Sequence, residues 1–184
     1  GCYEEAITAY NATLAIQPAA ANALYNKGKA LDKLGCYEEA ITAYNATLAI
    51  QPDAADAFYN KGKALDKLEC YEEANIAYNA ALAIQPDDYE TLYSKGDVLR
   101  KLERYEEAIT VYEMALVINS KDHEALYNKI LCYALQGKIE PFLENLERVI
   151  QLNPEKYRKL AKTDKNFDSI RDDPRFQALI DGKA

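Results

Sequence analysis

Apolar residues along this chain recur at three- and four-residue steps, and strict alternation is absent. In residues 23–34, ALYNKGKALDKL, the apolar positions Ala23, Leu24, Ala30, Leu31 and Leu34 gather on one side of a helix. In residues 36–52, CYEEAITAYNATLAIQP, Tyr37, Ala40, Ile41, Tyr44 and Leu48 share a face. Each segment predicts an amphipathic helix of about 14 residues. Glu38 and Glu39 open the second helix, where carboxylates complement the positive end of the helix dipole. Pro52 follows it, because proline cannot continue a helix. With a tight turn near Gly35 between them, the two segments predict a helical hairpin.

The hairpin recurs. Residues 2–18 and 36–52 are the same seventeen letters, and residues 70–86 and 104–120 continue the series with growing divergence. The first-helix block returns as AFYNKGKALDKL at 57–68, TLYSKGDVLRKL at 91–102 and, weakly, ALYNKILCYALQ at 125–136. Cys2, Cys36 and Cys70 mark the 34-residue interval, and Pro18, Pro52, Pro86 and Pro154 mark the stops, with Ser120 in that place once. A period of this size predicts stacked units, since one hairpin cannot bury its own apolar face. The organisation read from it is a half repeat at 1–20, repeats at 21–54, 55–88 and 89–122, a degenerate repeat at 123–154 and a C-terminal helical cap at 155–184. In the degenerate unit Ile130 and Phe142 replace the small pair Gly28 and Ala40, which predicts a wider hairpin. In the cap, Asp173 before Pro174 predicts a helix start with Phe176, Leu179 and Ile180 as its apolar face.

These residues resemble the tetratricopeptide repeat family. The second unit supplies its pattern as Leu24, Gly28, Leu31, Tyr37, Ala40, Tyr44, Leu48 and Pro52, and the third as Phe58, Gly62, Leu65, Tyr71, Ala74, Tyr78, Ala81 and Pro86. The fourth follows with Leu92, Gly96, Leu99, Tyr105, Ala108, Tyr112 and Ala115, so the likeness spans roughly residues 1–154. Lys27, Lys61, Lys95 and Lys129 depart from the pattern on or beside the apolar stripe; their stems are expected to be buried with ammonium groups reaching water or carbonyls. The resemblance implies an all-α, right-handed superhelical solenoid of antiparallel helix pairs, its concave wall lined by the first helix of each unit.

On that wall the stripe away from the packing face reads Asn22, Tyr25, Lys29 and Asp32, then Asp56, Tyr59, Lys63 and Asp66, then Glu90, Tyr93, Asp97 and Arg100, then Glu124 and Tyr127 before turning apolar at Leu131. Tyr25, Tyr59, Tyr93 and Tyr127 would form a column, and tyrosine gives a large contact area at low entropic cost. Asn26, Asn60 and Asn128 stand beside it with amides suited to an extended peptide backbone. The implied partner is a protein or peptide segment with some negative charge. The alternative is that duplication copied these residues and that they support neighbouring helices; the sequence leaves both open. The set with which some family members grip chaperone-tail carboxylates is not reproduced. Tyr25, Lys29, Glu90 and Ser94 stand at its positions, and Asn60 alone fits.

Composition narrows the chemistry. Thirty acidic against twenty-two basic residues give a net charge of −8, which repels nucleic-acid phosphates, although residues 155–184 carry eight basic against six acidic. No stretch approaches the roughly 18 apolar residues of a membrane span, and no basic-then-apolar leader opens the chain. The expectation is a cytoplasmic protein with no membrane or nucleic-acid partner. Repeated Glu4/Glu5, Glu38/Glu39, Glu72/Glu73 and Glu106/Glu107 read as solvated helix starts rather than catalytic pairs. One histidine, His123, and cysteines without close spacing assemble no triad, metal site or cofactor site, so the chain reads as non-enzymatic. A second possibility is self-association through the amphipathic segment 2–18, whose apolar face a second copy would cover.

Overall fold

The computed structural model describes residues 1–182, and among them every regular element is helical. The chain divides into two compact units, Gly1–Val98 and Leu99–Ala184. In the first, α1 (Cys2–Ile16), α2 (Ala21–Lys33), α3 (Tyr37–Ile50), α4 (Ala55–Lys67) and α5 (Tyr71–Ile84) precede α6 (Tyr89–Lys101), within which the division falls. The second unit continues with α7 (Tyr105–Ile118), α8 (His123–Leu135), α9 (Ile139–Leu152), α10 (Pro154–Thr163), a 3-10 turn at Lys165–Phe167, and α11 (Pro174–Asp181). Among the described residues no helix is long and apolar enough to cross a membrane.

Turn chemistry sets the hairpins. Gly35 follows α2 in the left-handed region at φ +79°, where glycine carries no Cβ penalty, and Gly137 repeats the solution after α8. Glu69 and Glu103 hold the same place at φ 60° and 59°, so the turn is kept even where the favoured residue is missing.

Packing within each pair rests on a glycine facing a tyrosine. A Cβ built on Gly28 would lie 2.6 Å from Cε1 of Tyr44, and one on Gly62 2.6 Å from Cε1 of Tyr78. The ring of the second helix thus lies flat on the backbone of the first, with Ala40 and Ala74 fully buried alongside. Each such tyrosine is completely enclosed, and burying an aromatic ring of this size is the largest single apolar contribution to the pair.

The second unit closes on aromatic residues. Ile130 and Phe142 are both fully buried. The Phe142 ring meets Phe167 edge-on at 4.9 Å and Phe176 at 6.0 Å, so its bulk is received by the segment after α9. As the sequence suggests, Asp173 starts α11: its Oδ1 accepts from the Arg175 backbone N–H at 2.8 Å. The Arg175 side chain and that N–H together hold the Asp173 carboxyl down at about 2. Lys129 is buried, as expected of its stem, and its ammonium pairs with Glu113 Oε1 at 3.1 Å, lying also over the Tyr133 ring. An enclosed ammonium needs a partner, and the exposed Glu113 carboxylate supplies one.

Candidate functional site

In the first unit the singled-out residues lie on the first helices of the pairs: Asn22, Tyr25, Asn26 and Lys29 on α2, Tyr59, Asn60 and Lys63 on α4, and Tyr93 on α6. Asn22 and Lys29 are exposed and the others half-buried. The tyrosines are partly framework. The Tyr25 ring packs on Tyr44 and the Tyr59 ring on Tyr78, both with centroids 6.1 Å apart. The Asn60 side-chain amide donates to the Tyr25 hydroxyl at 3.0 Å and to the Asp56 carbonyl at 2.8 Å. Tyr59 is hydrogen-bonded in the same way to Ser94, one pair further on. Each phenol is therefore fastened to the following pair. Burial raises both phenols above the usual range, with the Asp56 charge adding to the effect at Tyr25, so both stay neutral at physiological pH.

The lysines complete the face. Lys29 Nζ lies 5.4 Å from the Tyr25 ring centroid and Lys63 Nζ 5.3 Å from that of Tyr59, within cation–π range. Among the described residues neither ammonium forms an ion pair. Two adjoining cavities open along the heads of these helices. One, of about 560 Å³, is walled by Tyr10, Thr13, Asn22 and Asn26; the other, of about 310 Å³, by Tyr25, Asp53, Asp56 and Gln85. Asn22 and Gln51 line both.

Three candidates fall in the second unit. Tyr127 donates its hydroxyl to Asp164 Oδ2 at 2.7 Å, and its ring packs on Tyr157 at 5.5 Å and Phe167 at 5.9 Å. It is thereby committed to the C-terminal segment. Asn128 and Arg100 are half-buried. Sequence reasoning passed over Gln51, Gln85 and Asp53, whereas Asp56 stood in its stripe. The signal for the glutamines was present in the 34-residue recurrence of Gln17, Gln51 and Gln85.

Other reactive side chains are scattered. The four cysteines are free, Cys132 buried as expected, and the described residues include no cluster of His, Cys, Asp and Glu able to hold a metal ion. His123 Nδ1 is hydrogen-bonded to the Tyr157 hydroxyl at 2.7 Å, a contact between α8 and α10.

Consecutive helix pairs repeating every 34 residues, two of them built on the same glycine–tyrosine contact, define a helical-repeat protein. The description tetratricopeptide repeat matches residues 1–55, 27–89, 59–123 and 93–157, and the chain belongs to that family. Among solved structures it is similar to MamA at 22% identity, covering 84% of this chain and 90% of that one with a TM-score of 0.79. It is also similar to YrrB, described as a TPR protein with an unusual peptide-binding site, at 23% identity over 94% of this chain and 89% of that one, TM-score 0.77. MamA from Desulfovibrio magneticus gives 23% identity over 89% and 94%, TM-score 0.71. At these identities the likeness is one of fold. No curated protein matches the chain.

Proposed function

We propose that the protein is a non-catalytic interaction scaffold that receives a peptide segment of a partner protein on the face formed by α2, α4 and the start of α6. The observation that carries this reading is the pair of ammonium groups, Lys29 and Lys63, held over tyrosine rings without a carboxylate of their own, on helices whose heads line two open cavities. Membership of a family of interaction modules, and a similar fold in a protein described as having a peptide-binding site, support it. The tyrosine hydroxyls are already engaged, so the rings serve as a rigid platform, and the lysines, Asn22 and the cavity walls are the adaptable contacts.

The test follows from that division. Tyr25 and Tyr59 are half-buried supports, so their truncation would disturb the pairs themselves. Lys29→Glu with Lys63→Glu leaves the framework intact. Peptides selected from a random library on the unaltered protein should bind this double variant at least tenfold more weakly, with unchanged helical circular dichroism. Equal binding would remove this face from consideration.

A second reading, self-association through α1, has one observation in its favour. No residue of α1 is buried, whereas α3, of the same sequence, buries Ala40, Ala43, Tyr44 and Thr47. Light scattering across a concentration series should then show a mass rising above that of one chain; a constant single-chain mass would exclude it.

A further inference from the structure

One end of the helix pairs in the first unit lacks basic side chains altogether. Residues 10–26, 44–60 and 78–94 form the tails of α1, α3 and α5, the loops that follow them and the heads of α2, α4 and α6. They hold Asp53, Asp56, Asp87, Asp88 and Glu90, and no lysine or arginine. Both cavities open at this end, and their walls differ. That of the 560 Å³ cavity holds no charged side chain, whereas the 310 Å³ cavity has Asp53 and Asp56 beside Asn22, Tyr25, Gln51 and Gln85. The two aspartates are exposed, and among the described residues neither carboxylate forms a hydrogen bond or an ion pair. Nearby lysines do not cancel this wall. Lys27 lines a different groove, with Leu24, Leu31 and Glu39. Lys29 Nζ lies 5.4 Å from the Tyr25 ring centroid, and Lys63 stands two turns of α4, about 10 Å, beyond Asp56. Over the whole stripe of α2 and α4, the carboxylates of Asp32, Asp53, Asp56 and Asp66 outnumber these two ammonium groups.

We propose that the 310 Å³ cavity is an anchor subsite for an arginine side chain of the bound peptide. The inference rests on the peptide-binding reading above and names one residue that the peptide carries. A guanidinium has several N–H donors in a fixed plane and no acceptor, so it is best received where acceptors stand on more than one side. This wall supplies them: the Asp53 carboxylate from the loop before α4, the Asp56 carboxylate from its first turn, and the amide oxygens of Gln51 and Gln85. The Tyr25 ring adds an aromatic surface, on which a planar guanidinium stacks and a compact, strongly hydrated lysine ammonium does not. The Asp56 charge already reaches the Tyr25 phenol, so the carboxylate and the ring address the same space. Charge complementarity of this kind fixes register and excludes wrong partners more than it adds raw affinity, so the subsite acts as a specificity rule. The molecule also carries its own control. In the preceding pair Ala19 and Asn22 hold the places of Asp53 and Asp56, and the cavity there is uncharged.

Selection of a random peptide library on the full chain tests the subsite. The peptides recovered should share an arginine at one fixed position. Replacing that arginine by citrulline, which keeps the shape and removes the charge, should weaken binding at least tenfold by fluorescence anisotropy. The double variant Asp53→Ala with Asp56→Asn copies the residues of the preceding pair, so the same framework already carries them. It should cut the arginine-to-citrulline ratio below twofold with unchanged helical circular dichroism. Selected peptides that show no arginine preference, that accept lysine equally well, or whose ratio survives in the double variant would overturn the arginine subsite and leave peptide binding standing. If the selection yields no peptide that binds, both fall together.

Discussion

Tyr44 and Tyr78 stand at the same place in successive pairs, and their rings do the same work against Gly28 and Gly62. Their hydroxyls do not. Tyr78 is hydrogen-bonded to Ser94, while the earlier pair has Asn60 at that register, turned to Tyr25 and the Asp56 carbonyl. The Tyr44 hydroxyl is left buried without a hydrogen bond. An unsatisfied buried polar group costs about 1–3 kcal/mol, and a made hydrogen bond contributes about 1 kcal/mol. Tyr44→Phe should therefore leave stability unchanged or raise it, whereas Tyr78→Phe should lower it by about 1 kcal/mol. Urea denaturation of the two variants reads the difference, and equal losses would refute it. The sequence period placed both rings correctly, because ring burial depends on apolar spacing alone. It was silent on the hydroxyls, since Asn and Ser look alike as small polar residues and only geometry shows how many phenols each one reaches. Lys129 shows the same gap: its place on the stripe was legible, its Glu113 partner on another helix was not.

Helix ends carry a similar lesson at the next scale. The residues before α2, α4 and α8 have nearly the same backbone, with φ and ψ of −77° and 86° at Ala20, −79° and 85° at Ala54, and −71° and 99° at Asp122. Only Asp122 caps, its carboxylate accepting from the Glu124 and Ala125 backbone N–H groups at 2.7 and 2.9 Å. A capping side chain in place of alanine is worth about 1 kcal/mol. Ala20→Asp and Ala54→Asp should each raise the melting temperature by about 2–4 °C, given the unfolding entropy of a domain this size. No rise in either variant would mean that the N–H groups are already satisfied. Helices, their lengths and the turn at Gly35 were readable because periodicity and glycine both act locally. The left-handed Glu69 and Glu103 were not, because nothing in a glutamate announces φ near 60°; only its alignment with Gly35 does. The 3-10 turn at Lys165–Phe167 lies outside the repeat, where there is no second copy to compare.

At the scale of the molecule, a repeat protein is held together by contacts between neighbours, so one sequence takes on different stability at different places in the row. This chain contains its own control. Residues 2–18 and 36–52 are identical, yet α3 buries Tyr44 completely and α1 buries no residue at all. Intrinsic helix propensity is the same in both, so any difference in protection must come from packing. Isolated helices of this length are marginal in water. Amides in the middle of α3 should therefore exchange with the global unfolding free energy of their unit, and those of α1 orders of magnitude faster, by local fraying. The measurement needs resolved amide resonances, because proteolytic fragments from the two helices have the same mass. Fast exchange in α1 at every protein concentration supports a chain that works as a single copy, with the α2–α4–α6 face as its recognition surface. Protection of α1 that grows with concentration instead means that a second molecule covers it, and the self-association reading gains at the expense of the first.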